Sequence, residues 1–152
     1  MKKIFLIIIF PMILTACTES PKEDPKIANE VSLKGTWKLL TATIIEKGDT
    51  IITDYTKDRS FIKIINDSHF AFLNHTLRKD TTDFSAGGGT YSLKGNNYTE
   101  RLEYCSAKEW EGHDFPLTVT ITGDTLVQSG VEKIEAQGIN RINIEKYIRV
   151  RN

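Results

Sequence analysis

The amino-acid sequence predicts an all-β domain, an antiparallel up-and-down barrel of roughly eight to ten strands. Three observations carry that reading. From residue 33 onward, short alternating runs succeed one another; tight-turn signals separate them at Lys47-Gly48-Asp49, Asn66-Asp67-Ser68, Gly95-Asn96, Gly123-Asp124 and Gly138; and no stretch keeps a helical period of useful length. A chain of about 120 residues holds one core, and a sheet of many short strands leaves the fewest unpaired edges when it closes on itself.

Residues 1–16 have a different character. Lys2 and Lys3 precede an apolar run over 4–14 and then small residues, the layout of a secretory signal. A membrane-spanning helix needs about 20 apolar residues, so this run is expected to be cleaved rather than retained. The junction Leu14-Thr15-Ala16-Cys17 resembles the bacterial lipobox, which implies a diacylglycerol on Cys17 and cleavage in front of it. Residues 17–32 are polar and proline-punctuated and read as a flexible tether, with 26–32 forming at most one helical turn. Thr18 stands where an Asp retains many Gram-negative lipoproteins at the inner membrane, which implies outer-membrane sorting; Lys22-Glu23-Asp24 resembles the acidic signals that send some lipoproteins to the cell surface.

The expected domain, 33–152, takes its strands in order from 36–45, 50–55, 61–65, 70–74, 90–94, 97–105, 117–122, 125–129, 133–137 and 141–150. Its best-determined hairpin turns at Gly95-Asn96 and sets Leu93 opposite Tyr98, Tyr91 opposite Glu100 and Gly89 opposite Leu102. Strict alternation then places Tyr98, Glu100, Leu102 and Tyr104 on one face, the only one able to line a core. A second hairpin, at Gly123-Asp124, sets Ile121 against Leu126 and Val119 against Gln128. That turns Gln128 inward and Thr118, Thr120 and Thr122 outward. Around Asn66-Asp67-Ser68 a bulge is expected, with Ile62, Ile64, Phe70 and Phe72 inside and His69 outside.

The opening Leu33-Lys34-Gly35-Thr36-Trp37-Lys38-Leu39 resembles the Gly-x-Trp strand of lipocalins. Joined to His69-Phe70, the Gly-Gly-Gly-Thr-Tyr run ending at Tyr91, the Tyr98-to-Tyr104 strand, Gly123-Asp124-Thr125 and Lys146-Tyr147-Ile148-Arg149-Val150, it makes the domain similar to uncharacterised bacterial lipocalin-like lipoproteins. In lipocalins the first-strand Trp packs against an Arg of the last strand. The resemblance therefore implies a structural cation-π pair between Trp37 and Arg149.

Basic and acidic residues balance at 20 each, so nothing favours nucleic acid, and removing the signal leaves the chain slightly acidic. With Cys17 acylated, Cys105 is the one remaining thiol and reads as a small packing residue. His69, His75 and His113 lack metal-ligand spacing, and no strained Gly-x-Ser-x-Gly turn presents a nucleophile, so neither a metal nor a cofactor is implied. The leading expectation is a non-enzymatic envelope lipoprotein that binds a small, partly apolar molecule in its barrel, lined by Tyr91, Tyr98, Glu100, Tyr104 and Gln128. The alternative is a solid barrel whose loops, over 76–85 or at Trp110, bind a protein or glycan. A barrel enzyme using Glu100 as a base comes third, since no partner group is evident for it.

If lipid on Cys17 is the anchor, Cys17→Ala accumulates as unprocessed precursor. Recovery of that variant from membranes at mature size ends the lipoprotein reading.

Overall fold

The computed structural model describes residues 32–151; the signal segment, Cys17 and nearly all of the tether lie outside these residues. Among these described residues nine strands follow one another: β1 (Gly35–Glu46), β2 (Asp49–Asp54), β3 (Arg59–Ile65), β4 (His69–Thr76), β5 (Phe84–Lys94), β6 (Asn97–Cys105), β7 (Asp114–Thr122), β8 (Thr125–Ile134) and β9 (Ile139–Arg149). Every pairing is antiparallel, and β9 returns to β1. Eight strands, β1 and β3 to β9, thereby form a closed up-and-down barrel consistent with a lipocalin-like fold, while β2 lies along the upper half of β1. The separate strand expected over 133–137 does not exist. Its first residues extend β8, and Glu135–Gln137 form a short 3-10 turn that Gly138 ends in the left-handed conformation, φ 65°.

One end of the barrel is shut by Trp37, which is fully buried and donates its indole N–H to the Leu33 carbonyl at 2.8 Å. The Arg149 guanidinium lies 4.0 Å over its ring, as the resemblance implied, and Nη1 donates to the Lys34 carbonyl at 2.6 Å. The glycine of Gly-x-Trp follows from this contact. Gly35 has φ 134°, and a Cβ there would come within 2.8 Å of Arg149 Nη1.

Two bulges divide the closed end from the open one. In β1 the register against β9 shifts between Leu39 and Thr41, so Trp37 and Leu39 face inward below it while Ala42 and Ile44 do so above. In the β5–β6 hairpin the expected pairs hold from Leu93 and Tyr98 up to Gly89 and Leu102, but Gly88 then pairs with Tyr104. The extra residue on β6 reverses the alternation: Tyr104, expected inside, is 69 % exposed, and Cys105 turns toward the lumen. Gly89 is what permits the bulge, since a Cβ there would lie 2.0 Å from the Arg101 carbonyl oxygen.

The β7–β8 hairpin matches expectation, with Val119 opposite Gln128, both buried, and Thr118, Thr120 and Thr122 outside. The β3–β4 hairpin does not. Its turn carries no bulge, because the Asn66 side chain accepts from the backbone N–H groups of Ser68 and His69 at 2.9 and 2.7 Å and closes a regular loop. Ile65 consequently pairs with Phe70 and Lys63 with Phe72; Phe61, Lys63 and Ile65 face the interior, and Ile64, expected inside, is 42 % exposed. Ile62 shares the outer face, while Phe70 and Phe72 point inward and His69 outward as expected.

Trp37→Ala removes a fully buried ring together with the partner of Arg149, and should cost about 3 to 5 kcal/mol. Urea denaturation measures it, and a loss below about 0.5 kcal/mol contradicts the packing described.

Candidate functional site

A cavity of about 430 Å³ occupies the upper lumen. Its floor is a buried polar cluster centred on Lys63 of β3, which is 2 % exposed. The ammonium donates to Glu100 Oε1 of β6 and, at 3.0 Å, to Gln128 Oε1 of β8. Three rings surround it, with centroids 5.3 Å (Phe70), 5.9 Å (Tyr98) and 5.8 Å (Tyr147) from Nζ. Gln128 passes the chain of hydrogen bonds on, donating from Nε2 to Glu145 Oε2 at 2.7 Å, and the Tyr147 hydroxyl donates to the same oxygen at 2.7 Å. Lys63 is thus committed to protein groups, whereas Glu100 and Glu145 each use one carboxylate oxygen in side-chain hydrogen bonds among the described residues.

Burial acts on the titration of this cluster. It pushes the Glu145 carboxyl upward, opposed by the Lys63 charge and the Tyr147 hydrogen bond. Glu145 keeps some accessible surface and lines the cavity. Tyr98 and Tyr147 are both pushed far up, by burial first and then by the carboxylates beside them, Glu100 and Glu145 respectively. Both therefore stay neutral hydroxyls, and that of Tyr98, although beside the Glu100 carboxylate, makes no well-formed hydrogen bond among the described residues.

Strand β9 builds the wall from floor to mouth. Its alternate residues Tyr147, Glu145, Asn143 and Arg141 all border the cavity. Near the mouth Glu132 of β8 accepts from Arg141 Nε and from Asn143 Nδ2, both at 2.7 Å, and the Arg141 guanidinium lies 5.2 Å over the Trp110 ring. The bond to Glu132 fixes which way the Asn143 amide points, and its Oδ1 is left buried without a partner. The rest of the lining is mostly apolar. Phe61 stacks on Phe72 at 5.5 Å between ring centroids, Trp110 packs on Phe115 at 5.8 Å, and Ala42, Ile44, Leu102 and Leu117 complete it.

Of the five residues proposed from sequence to line a site, Glu100 and Gln128 border the cavity. Tyr98 lies fully buried beside Lys63, and Tyr91 is half-buried toward the closed end, its ring 5.3 Å from Tyr98 and its hydroxyl donating to the Asn66 carbonyl at 2.7 Å. Tyr104 is outside, on a shallow apolar groove with Leu73 and Gly88. Sequence reading missed Lys63, Glu132, Arg141, Asn143 and Glu145. The four on β8 and β9 were within reach: counting back by two from Arg149 passes through Tyr147, Glu145, Asn143 and Arg141, and counting forward by two from Gln128 reaches Glu132. Among the described residues no group of three or more His, Cys, Asp or Glu is arranged to hold a metal ion.

Lys63→Met should destabilise the domain by about 3 to 5 kcal/mol, because it leaves Glu100 buried without its base. Adding Glu100→Gln to that variant should restore part of the loss, as read by urea denaturation. A single-variant effect below about 1 kcal/mol means the pair is solvated and the cluster is no floor.

No curated protein matches this chain. Residues 32–152, the whole barrel, match the profile described as "Domain of unknown function (DUF4488)", and the chain belongs to that family.

Proposed function

We propose that this domain binds one small, partly apolar molecule in its lumen, and that lipid on Cys17 holds it at the cell envelope, in the outer membrane. The observation that carries the reading is the cavity itself. Its size falls within the range of ligand sites, about 300 to 1,000 Å³, and it combines an apolar aromatic wall with a few fixed polar groups at one end. The wall would cover an apolar body, and the floor would orient a polar head. Glu100 supports binding better than catalysis, since the carboxylate that a base mechanism would need is already tied to the fold through Lys63.

N-phenyl-1-naphthylamine, a neutral apolar fluorophore, tests the proposal on the soluble domain. The expected result is saturable, one-to-one enhancement, weakened about tenfold or more, roughly 1.4 kcal/mol, when Ala42→Phe places a ring in the lumen. Circular dichroism establishes that the variant keeps its fold. Enhancement that Ala42→Phe leaves intact assigns the probe to an outer surface and overturns the reading, as does the absence of any enhancement.

A further inference from the structure

Resting on the lumen as a binding site, the geometry points to the chemical class of its occupant: we infer that it carries a primary ammonium head, seated against Glu145 and Glu100, on a compact apolar body. Three independent features lead there. The first is charge. The cavity is lined by three carboxylates, Glu100, Glu132 and Glu145, and two bases, Lys63 and Arg141, so the lining carries one more acid than base. The second is the supply of hydrogen-bonding groups. Lys63 spends itself on Glu100, Gln128 and three rings, and Arg141 on Glu132 and the Trp110 face. What the floor leaves unused among the described residues are two acceptors, one oxygen each of Glu100 and Glu145, against a single hydroxyl, that of Tyr98, while the spare N–H groups of Arg141 lie at the mouth. Acceptors call for a donor, and an ammonium carries three and no acceptor of its own.

The third feature is placement. Asn143 and Glu145 are alternate residues on the inner face of β9, about 7 Å apart along the strand, with Glu145 paired across to Gln128. An ammonium against Glu145 lies deeper than the Glu132–Arg141 pair at the mouth, in the cavity that Phe61, Phe72 and Phe115 also line. The groups facing Glu145 are Tyr55 from the segment after β2, Lys63 from β3, Tyr98 and Glu100 from β6, Gln128 and Glu132 from β8, and Tyr147 from its own strand. Of these Lys63 is the one cation. Burial raises the cost of a negative charge on Glu145, and a second cation beside it offsets the same cost that Lys63 offsets in part. An anionic head finds one base outside the floor, Arg141, which stands at the mouth with its Nε on Glu132 and away from the floor.

Three probes with one body and different heads decide it: 4-phenylbutylamine, 4-phenylbutanol and 4-phenylbutyrate, each titrated calorimetrically into the unaltered domain and each competed against N-phenyl-1-naphthylamine. The amine is expected to bind at least about tenfold more tightly than the alcohol, with the carboxylate weakest. Glu145→Gln, which keeps an acceptor for Gln128 and Tyr147, should bring amine and alcohol within about threefold of each other, with circular dichroism establishing that the variant keeps its fold. If the alcohol or the carboxylate equals the amine while the fluorophore still binds in the lumen, the ammonium assignment fails and the hollow binding barrel stands. If none of the three binds and the fluorophore is also inert, both fail. Should Glu145→Gln not fold, the ranking of the three heads on the unaltered protein decides alone.

Discussion

The fold depends on a lysine ammonium placed where water does not reach it. Burying such an ion costs several kcal/mol even after relaxation, and only close, complete pairing recovers it. Lys63 meets that condition with groups from different strands: Glu100 from β6, Gln128 from β8, and rings from β4, β6 and β9. A slip of one residue in β3 would expel Lys63 and strand Glu100, a penalty much larger than the loss of one apolar contact. The cluster therefore fixes strand register more sharply than the aliphatic part of the core does. The apolar plug of Trp37, Leu39, Leu126 and Val119 supplies the burial below it.

How much of this the sequence disclosed differs from strand to strand. Where one face is apolar and the other polar, alternation was enough, as in β7 with its outward threonines and in the lower β5–β6 hairpin. It failed in β3, whose Phe61-Ile62-Lys63-Ile64-Ile65 offers isoleucines at both parities. Apolarity then favours the wrong side, because the interior at that level is polar and needs a cation. The carboxylates that need it, Glu100 and Glu145, come from strands far off in sequence. Local pattern carries no record of that need, whereas the turn chemistry of Asn66 does record the register.

The bulges explain why a lumen remains at all. Had the alternation of β6 run on, the Tyr104 ring would occupy the space that Cys105 now borders; had that of β1 run on, Thr41 and Thr43 would face inward where Ala42 and Ile44 do. The β6 bulge thereby keeps an aromatic ring out of the lumen, and the β1 bulge lines it with the apolar Ala42 and Ile44 in place of two threonines. The Gly87-Gly88-Gly89 run also lets the Phe72 ring lie against the wall, since a Cβ on Gly87 would come within 2.6 Å of it.

The division of β1 between two partners has a mechanical meaning. Its lower residues pair with β3 and its upper residues with β2, and among the described residues β2 pairs with no other strand. The upper wall thus has a slot beside β2, crossed by no ladder, while the lower wall is a continuous hoop. Widening the slot sacrifices no strand pairing, so the rim is compliant and the base stiff. In the binding role proposed above, such a vessel would discriminate loosely by girth at its entrance and strictly by hydrogen-bonding chemistry at its bottom, so that related molecules of different bulk but the same head group would share it.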